Sequence, residues 1–320
     1  MDINTIGQLL SITLIFSTAY IFTALGGIFS ERSGVVNIGL EGLMVAGAFA
    51  AAVASLYAEE AGMGGFTPWV GLIAGMLFGV LFSLIHAVAS VTFKANQVVS
   101  GVVINFLAGG TTLYLVKLLF EGSGQTETIK EVFSKFKIPL LGDIPIIGQA
   151  LFNTYPTTYI ALILVFVQWY VLFRTPFGLR LRSVGEHPSA ADTMGIKVLR
   201  MRYIGVLLSG ALAGLGGATI ALTTTSNFSH NTISGQGFIA LAALIFGKWN
   251  PIGALGAALF FGFSQGALKN FLQLFDITKQ IPSEFIYMMP YVLTIIVLVG
   301  AVGRAKAPSA LGEPYDPGKR

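Results

Sequence analysis

The sequence predicts an all-α polytopic membrane protein. It is expected to have about 8–10 transmembrane helices, an inverted-topology internal repeat and at least one short broken helix. Three observations carry this. The 320 residues are 54% hydrophobic and only 11% charged, where soluble domains average about 25% charged, and the mean hydropathy is +0.76. Several apolar runs reach the roughly 20 residues that cross a bilayer as a helix. Turns rich in Lys and Arg also alternate with turns that are acidic, of mixed charge or uncharged, as they do in a chain threaded back and forth through a membrane.

The first span is expected over 6–29, retained because MDINTIGQLL lacks the basic start of a signal peptide. Ser30-Glu31-Arg32-Ser33 reads as a polar turn. The second span, 34–57, is unusual in holding Asn37, Gly39, Glu41 and Gly42 near its start. Glu59-Glu60 and a Gly-rich stretch lead to a third span over 68–92, with Gly71, Gly75 and Gly79 at four-residue spacing. Lys94 and Asn96-Gln97 mark a short turn before a fourth span, 98–120. Residues 121–155 form the longest polar connection. A fifth span is expected over 156–173, a sixth over 203–223, an eighth over 252–271 and a ninth over 284–302. Between the sixth and eighth, 237–247 is too short to cross at 1.5 Å per residue and reads as a half-helix or re-entrant piece.

Between spans five and six lies the loop 174–202, with Arg174, Arg180, Arg182, Lys197, Arg200 and Arg202, six of the chain's 19 Lys and Arg. A membrane protein keeps such a loop in the cytoplasm. With this loop inside, alternation places Arg32, Lys94, Lys248 and the basic C-terminus in the cytoplasm as well. Glu59-Glu60, 121–155, 224–236 and the N-terminus then lie outside. Within the loop, His187-Pro188 puts Pro in the first turn of a short helix, where its missing N–H costs nothing. Ser189-Ala190-Ala191-Asp192-Thr193-Met194 follows, and Gly195 ends it. A short helix with a two-Ala face suits a groove on another protein; an ordinary basic loop is the competing reading.

Residues 33–44 and 234–245 share Ser, Gly, Ile, Leu and Leu in register, with small residues coinciding at 39/240 and 42/243. Related tetrads precede both copies, Ala24-Leu25-Gly26-Gly27 and Gly214-Leu215-Gly216-Gly217. On the alternation above, the copies run in opposite directions. Inverted repeats of this kind bring broken helices together near the midplane and line a transport path. The chain is therefore expected to form one membrane domain over 1–320, with repeat one at about 14–120, repeat two at about 203–303 and the loop 174–202 between them.

Ionisable and polar residues inside spans are costly and default to functional hypotheses. Glu41 is the carboxylate furthest inside an apolar stretch, and four-residue spacing would put Asn37 on its helix face. These two, with Asn96, Gln97, Asn105 and Gln236, are the candidates for a polar path; helix–helix hydrogen bonding is the alternative for each. His86, alone on an apolar span, reads as structural. Gly247-Lys248 lacks the remainder of a phosphate-binding loop, because Trp249 stands where Ser or Thr is needed. The chain has no Cys and only three His, in three different segments, so no metal or catalytic constellation is expected. The net charge of +4 comes from loops and tail and gives no case for nucleic acid. A secondary transporter would need several buried carboxylates, and an intramembrane enzyme a constellation. A permease driven by a separate ATPase needs only a polar path and a docking helix.

The text Glu186-His187-Pro188-Ser189-Ala190-Ala191, three residues, then Gly195 resembles the coupling-loop motif of ABC importer permeases, although His-Pro-Ser separates Glu186 from Ala190. Thr175-Pro176-Phe177-Gly178-Leu179-Arg180, Val184-Gly185-Glu186-His187-Pro188 and Gly34 to Met44 resemble the permease family for branched-chain amino acids, monosaccharides and nucleosides. Residues 95–101 with Asn105 resemble its nucleoside-type members, of the smaller kind; the monosaccharide and amino-acid members share most of the text. The resemblance implies that Glu186, His187, Pro188, Ala190, Ala191, Met194 and Gly195 dock on a cytoplasmic ATP-binding-cassette ATPase, which holds ATP and Mg while this chain holds no cofactor. It further implies a second, homologous permease subunit, an extracytoplasmic solute-binding lipoprotein, contact with membrane lipid and not nucleic acid, and import across a bacterial plasma membrane.

Overall fold

The computed structural model describes residues 3–139, 142, 144, 146–267 and 306–317, with 288, 292 and 295 singly. The expected ninth span and the end of the eighth therefore lie outside the described residues. Among the described residues six helices are long and apolar enough to cross a membrane, and the chain is an all-α, multi-pass membrane protein. Helix α1 spans Ile3–Arg32, α2 Leu40–Glu60, α3 Thr67–Ala87 and α4 Gln97–Leu119. A π-helical turn, Val88–Thr92, ends α3. After a short helix α5, Ile147–Leu151, come α6, Pro156–Arg174, and α7, Pro176–Glu186. Then follow α8, Pro188–Thr193, α9, Val198–Ile220, α10, Gln236–Phe246, and α11, Pro251–Gly262. The expected polar connection at 121–155 contains two two-residue strands, β1 Phe136–Lys137 and β2 Asn153–Thr154, paired antiparallel.

The second span corrects the expectation. It does not begin at Gly34: residues 33–39 are not helical and α2 starts at Leu40. Gly34 has φ +92°, and the Ser30 hydroxyl donates to Val35 O at 2.8 Å, holding the chain in a turn after α1. Asn37 therefore precedes the helix and shares no helix face with Glu41. The polar turn expected at 30–33 is likewise absent, because α1 continues through Arg32.

Helix α9 runs through the middle, packed against α1, α2 and α3. Glycines make this approach possible. A Cβ on Gly79 would lie 2.2 Å from Gly210 O, one on Gly214 2.3 Å from Gly75 O, and one on Gly217 1.9 Å from Met44 O. Backbones meet directly here, the way small residues let helices associate in lipid. Replacing Gly79 with Leu is expected to cost about 3 kcal/mol or more by overpacking. Its thermal midpoint in detergent should fall well below that of Gly109→Leu, where a Cβ meets nothing within 4 Å. Helices α4 and α6 keep most of their apolar surface outward, including Phe106, Tyr114, Ile163 and Phe166.

The molecule has a basic end and an acidic end. At the basic end the Arg32 Nε donates to Trp249 O at 3.0 Å, and Lys94 Nζ lies 3.0 Å from Asp316. At the acidic end residues 126–133 fold back over the turn after α9. Thr126 N–H donates to Phe228 O and Ile129 N–H to Ser226 O, at 2.8 and 2.7 Å. Glu59 and Glu131 lie there too, the Glu131 N–H donating to Glu59 Oε1.

Candidate functional site

Non-helical backbone buried between helices leaves N–H and C=O groups that need partners from the protein itself. In the segment 33–39, side chains from α1, α3 and α4, with Asn37 itself, supply the partners. From α4, Gln97 Oε1 accepts from Val36 N–H at 2.7 Å. From α3, His86 Nε2 donates to Val36 O at 3.1 Å, while its Nδ1 lies 2.8 Å from the Ser100 hydroxyl. Asn105 uses both ends of its amide: Nδ2 donates to Ile38 O at 3.1 Å and Oδ1 accepts from Gly42 N–H at 2.8 Å. Asn37 accepts from Gly39 N–H at 3.1 Å and donates to the Ser209 hydroxyl of α9 at 2.9 Å. The unwound strand is thus held open by a fixed set of amides and one imidazole.

The same strand delivers Glu41 to a second break. Gly235, φ +91°, ends the loop 226–235 and starts α10. The Glu41 carboxylate accepts from the N–H groups of Gly235 and Gly237, each at 2.5 Å. The first turns of α2 and α10 meet there. A carboxylate beside exposed helix N–H groups is favoured by hydrogen bonding and by the helix dipole. The two glycines flanking the helix starts, Gly34 and Gly235, are the in-register pair of the sequence comparison, and both lie in the left-handed region. A Cβ at Gly237 would lie 2.4 Å from the Glu41 Cα, so the two segments touch through glycine.

The structure thus brings Asn37, Gln97 and Asn105 around one segment and joins Glu41 to α10. Gln236 stands next to that junction, accepting from Ser234 N–H through its own Oε1. Asn96 is elsewhere: it is exposed and caps α4, accepting from Val99 N–H at 3.1 Å. One buried carboxylate escaped the sequence reading. Glu31 is 3% exposed and accepts from the Trp249 indole N–H at 2.5 Å. It looked like a turn residue because Arg32 and Ser33 follow it. No sequence signal marks its partner: the indole is brought to it by a turn in which two consecutive non-glycine residues, Lys248 and Trp249, take φ of +56° and +53°.

The second site is the loop between α6 and α9. His187 precedes Pro188, which opens α8. At its other end Gly195, φ +80°, donates to Asp192 O at 2.9 Å while Ile196 N–H donates to Ala191 O at 3.1 Å. That is a Schellman closure, which needs the left-handed residue. The two-Ala face divides: Ala191 is buried against the chain's own core, whereas Ala190, His187 and Met194 point outward, Met194 being 81% exposed. Beside it opens a shallow cavity of about 320 Å³ lined by Arg180, Met194, Gly195, Lys197 and Arg200. The carboxylate of Glu186 faces the chain itself, accepting from the Ser309 N–H and hydroxyl at 3.1 and 2.9 Å.

Residues 9–298 match the model of a family described as a branched-chain amino acid transport system permease component. The chain is similar to the guanosine ABC transporter permease protein NupQ of Bacillus subtilis, 57% identical over 98% of this chain and 99% of that protein. It is 49% identical to the nucleoside ABC transporter permease protein NupC of Lactococcus lactis, over 98% of each chain. A second Bacillus subtilis protein with the guanosine permease name, NupP, is 28% identical over 88% of this chain and 77% of its own length.

Proposed function

The chain belongs to that permease-component family, a transport component and not an enzyme, and we propose that it carries nucleosides inward across a bacterial plasma membrane. The observation that carries the substrate is the near-complete match, end to end, with two permeases named for nucleosides. In the proposed assembly a second, homologous permease stands beside it, supported by the two distinct guanosine permeases of one organism. An extracytoplasmic binding protein delivers solute, and a cytoplasmic ATPase holds ATP and Mg. The basic end, with 174–202 and the segment 306–317 that packs on it, faces the cytoplasm, because Lys and Arg concentrate in 174–202.

The face made by His187, Ala190, Met194 and Gly195 docks the ATPase. Ala191 supports that face from beneath, and Pro188 starts its helix. ATP-driven closure of the ATPase moves α8, and two halves related as inverted repeats, about 14–120 and 203–303, rock about the junction of α2 and α10. Glu41 and Gln236 at that junction border the path, and Asn37, Gln97 and Asn105 keep the unwound strand beside it in shape. Broken helices that meet in this way form the sites of other alternating-access transporters.

The test is uptake of labelled nucleosides, monosaccharides and branched-chain amino acids by a strain lacking this chain, with and without the gene restored. Nucleoside uptake is expected to fall to background and return on complementation. Unchanged nucleoside uptake with a loss of sugar or amino-acid uptake would reassign the substrate and leave the permease class standing.

A further inference from the structure

Residues 309–316 lie across the basic end and touch four separate elements. The Ala310 N–H donates to Gly185 O at 2.9 Å, and Ser309 donates twice to Glu186, so the segment grips the last turn of α7 immediately before α8. The Gly312 N–H donates to Gly34 O at 3.2 Å, at the head of the unwound strand. Glu313 O accepts from Arg202 Nη1 at 2.7 Å, at the base of α9. Asp316 pairs with Lys94 in the turn between α3 and α4. Ala310 and Tyr315 are buried in these contacts.

Everything converges on Gly34. A Cβ there would stand 3.0 Å from Arg202 Nη2, 3.3 Å from Ala310 O and 3.4 Å from Gly185 Cα. Arg202 is 1% exposed, and its Nε and Nη2 have no hydrogen-bond partner among the described residues. A guanidinium buried so incompletely satisfied is held by the carbonyl laid over it, and lifting the segment would leave it with no partner among the described residues. Between α7 and the end of α1, Gly185 packs closely on Arg32 O, and the Arg32 guanidinium is attracted electrostatically by the Glu186 carboxylate. Among the described residues, the hydrogen bonds that link the docking loop to the unwound strand run through the segment 309–316.

We propose that this C-terminal segment is a strap that transmits movement of α8 to residues 34–42, so that the strand carrying Glu41 shifts when the docking helix shifts. The proposal rests on the docking reading above. Ser309, Ala310 and Gly312 are then positioning residues: they reach no solute, and they set where the strand stands.

The test uses the whole transporter in proteoliposomes, with radiolabelled guanosine as solute, comparing the parent chain with one ending at Ala307. Coupling energies of the usual size predict that guanosine carried per ATP falls about tenfold, while the ATPase stays bound and hydrolysis continues. An unchanged ratio overturns the strap. So does loss of the ATPase from the truncated chain alone, which would reduce the segment to a support for docking. Failure of the parent chain to hold the ATPase sinks the docking reading instead. A second variant keeps the tail: the chain has no Cys, so Ala310→Cys reports on the strap by maleimide labelling. Labelling is expected to stay slow both at rest and with the ATPase trapped by vanadate. A rise on trapping means the strap lets go during the cycle, and overturns the proposal.

Discussion

Replacing Met194 with Asp is expected to lower capture of the ATPase at least 100-fold and to abolish uptake, with insertion and yield unchanged. Two effects add. Met194 is 81% exposed in the isolated chain, so covering it in a groove contributes about 1.5–3 kcal/mol of apolar burial that the variant loses. A carboxylate pushed into the same groove unpaired costs several kcal/mol more. Loss of 2.8 kcal/mol alone is a hundredfold in affinity. The side chain touches nothing that the fold needs, which is what separates docking from stability here. Ala191→Asp is the contrasting variant: Ala191 is 4% exposed against the core, so its charge should lower the yield of folded protein before docking is reached. Co-purification of the ATPase on the tagged permease reads both. If Met194→Asp retains the ATPase and transports, α8 is not the docking element and the loop is an ordinary basic connection.

How much of this was legible in the sequence follows from which forces act locally. Helices α1, α3, α4, α6 and α9 each write an apolar run of the required length, and their existence could be read directly. Pro188 and Gly195 write the two ends of α8, because each fixes a backbone angle by itself. The short α10 was visible from arithmetic on eleven apolar residues. Less could be read where a residue's meaning depends on a partner far along the chain. Asn37 and Glu41 looked like one helix face, yet Asn37 is bonded to Ser209 and Glu41 to Gly235 and Gly237. Gly34 gave no sign by itself that the helix would be delayed to Leu40. Asn105 was seen to need a partner, but not that the partners would be Ile38 O and Gly42 N–H. Glu31 and the tail at 309–316 passed as turn and terminus, since no periodicity marks a carboxylate that waits for an indole 218 residues away.

The second large effect is expected at Glu41. In Glu41→Ala the N–H groups of Gly235 and Gly237 lose their acceptor, and unsatisfied buried donors cost about 1–3 kcal/mol each. The alternative for the chain is to extend or tilt α10 until other acceptors are found, which would move the junction on which rocking is proposed to turn. Uptake is therefore expected to fall roughly 30-fold or more, the equivalent of about 2 kcal/mol at the lower end of that range. Glu41→Gln separates hydrogen bonding from charge. It keeps one carbonyl acceptor for the helix start while removing the negative charge and placing an NH₂ donor where the second oxygen stood. Because one of the two bonds survives, it should transport at an intermediate level. The ATPase should remain bound in both variants, since α8 packs on α7 and α9, away from the junction of α2 and α10. If Ala and Gln variants are equally impaired, the charge and not the bond is what the site requires, as it would be if a solute's hydroxyls passed directly over the carboxylate. If neither is impaired, the meeting of α2 and α10 is only packing, and the path must be sought on another face.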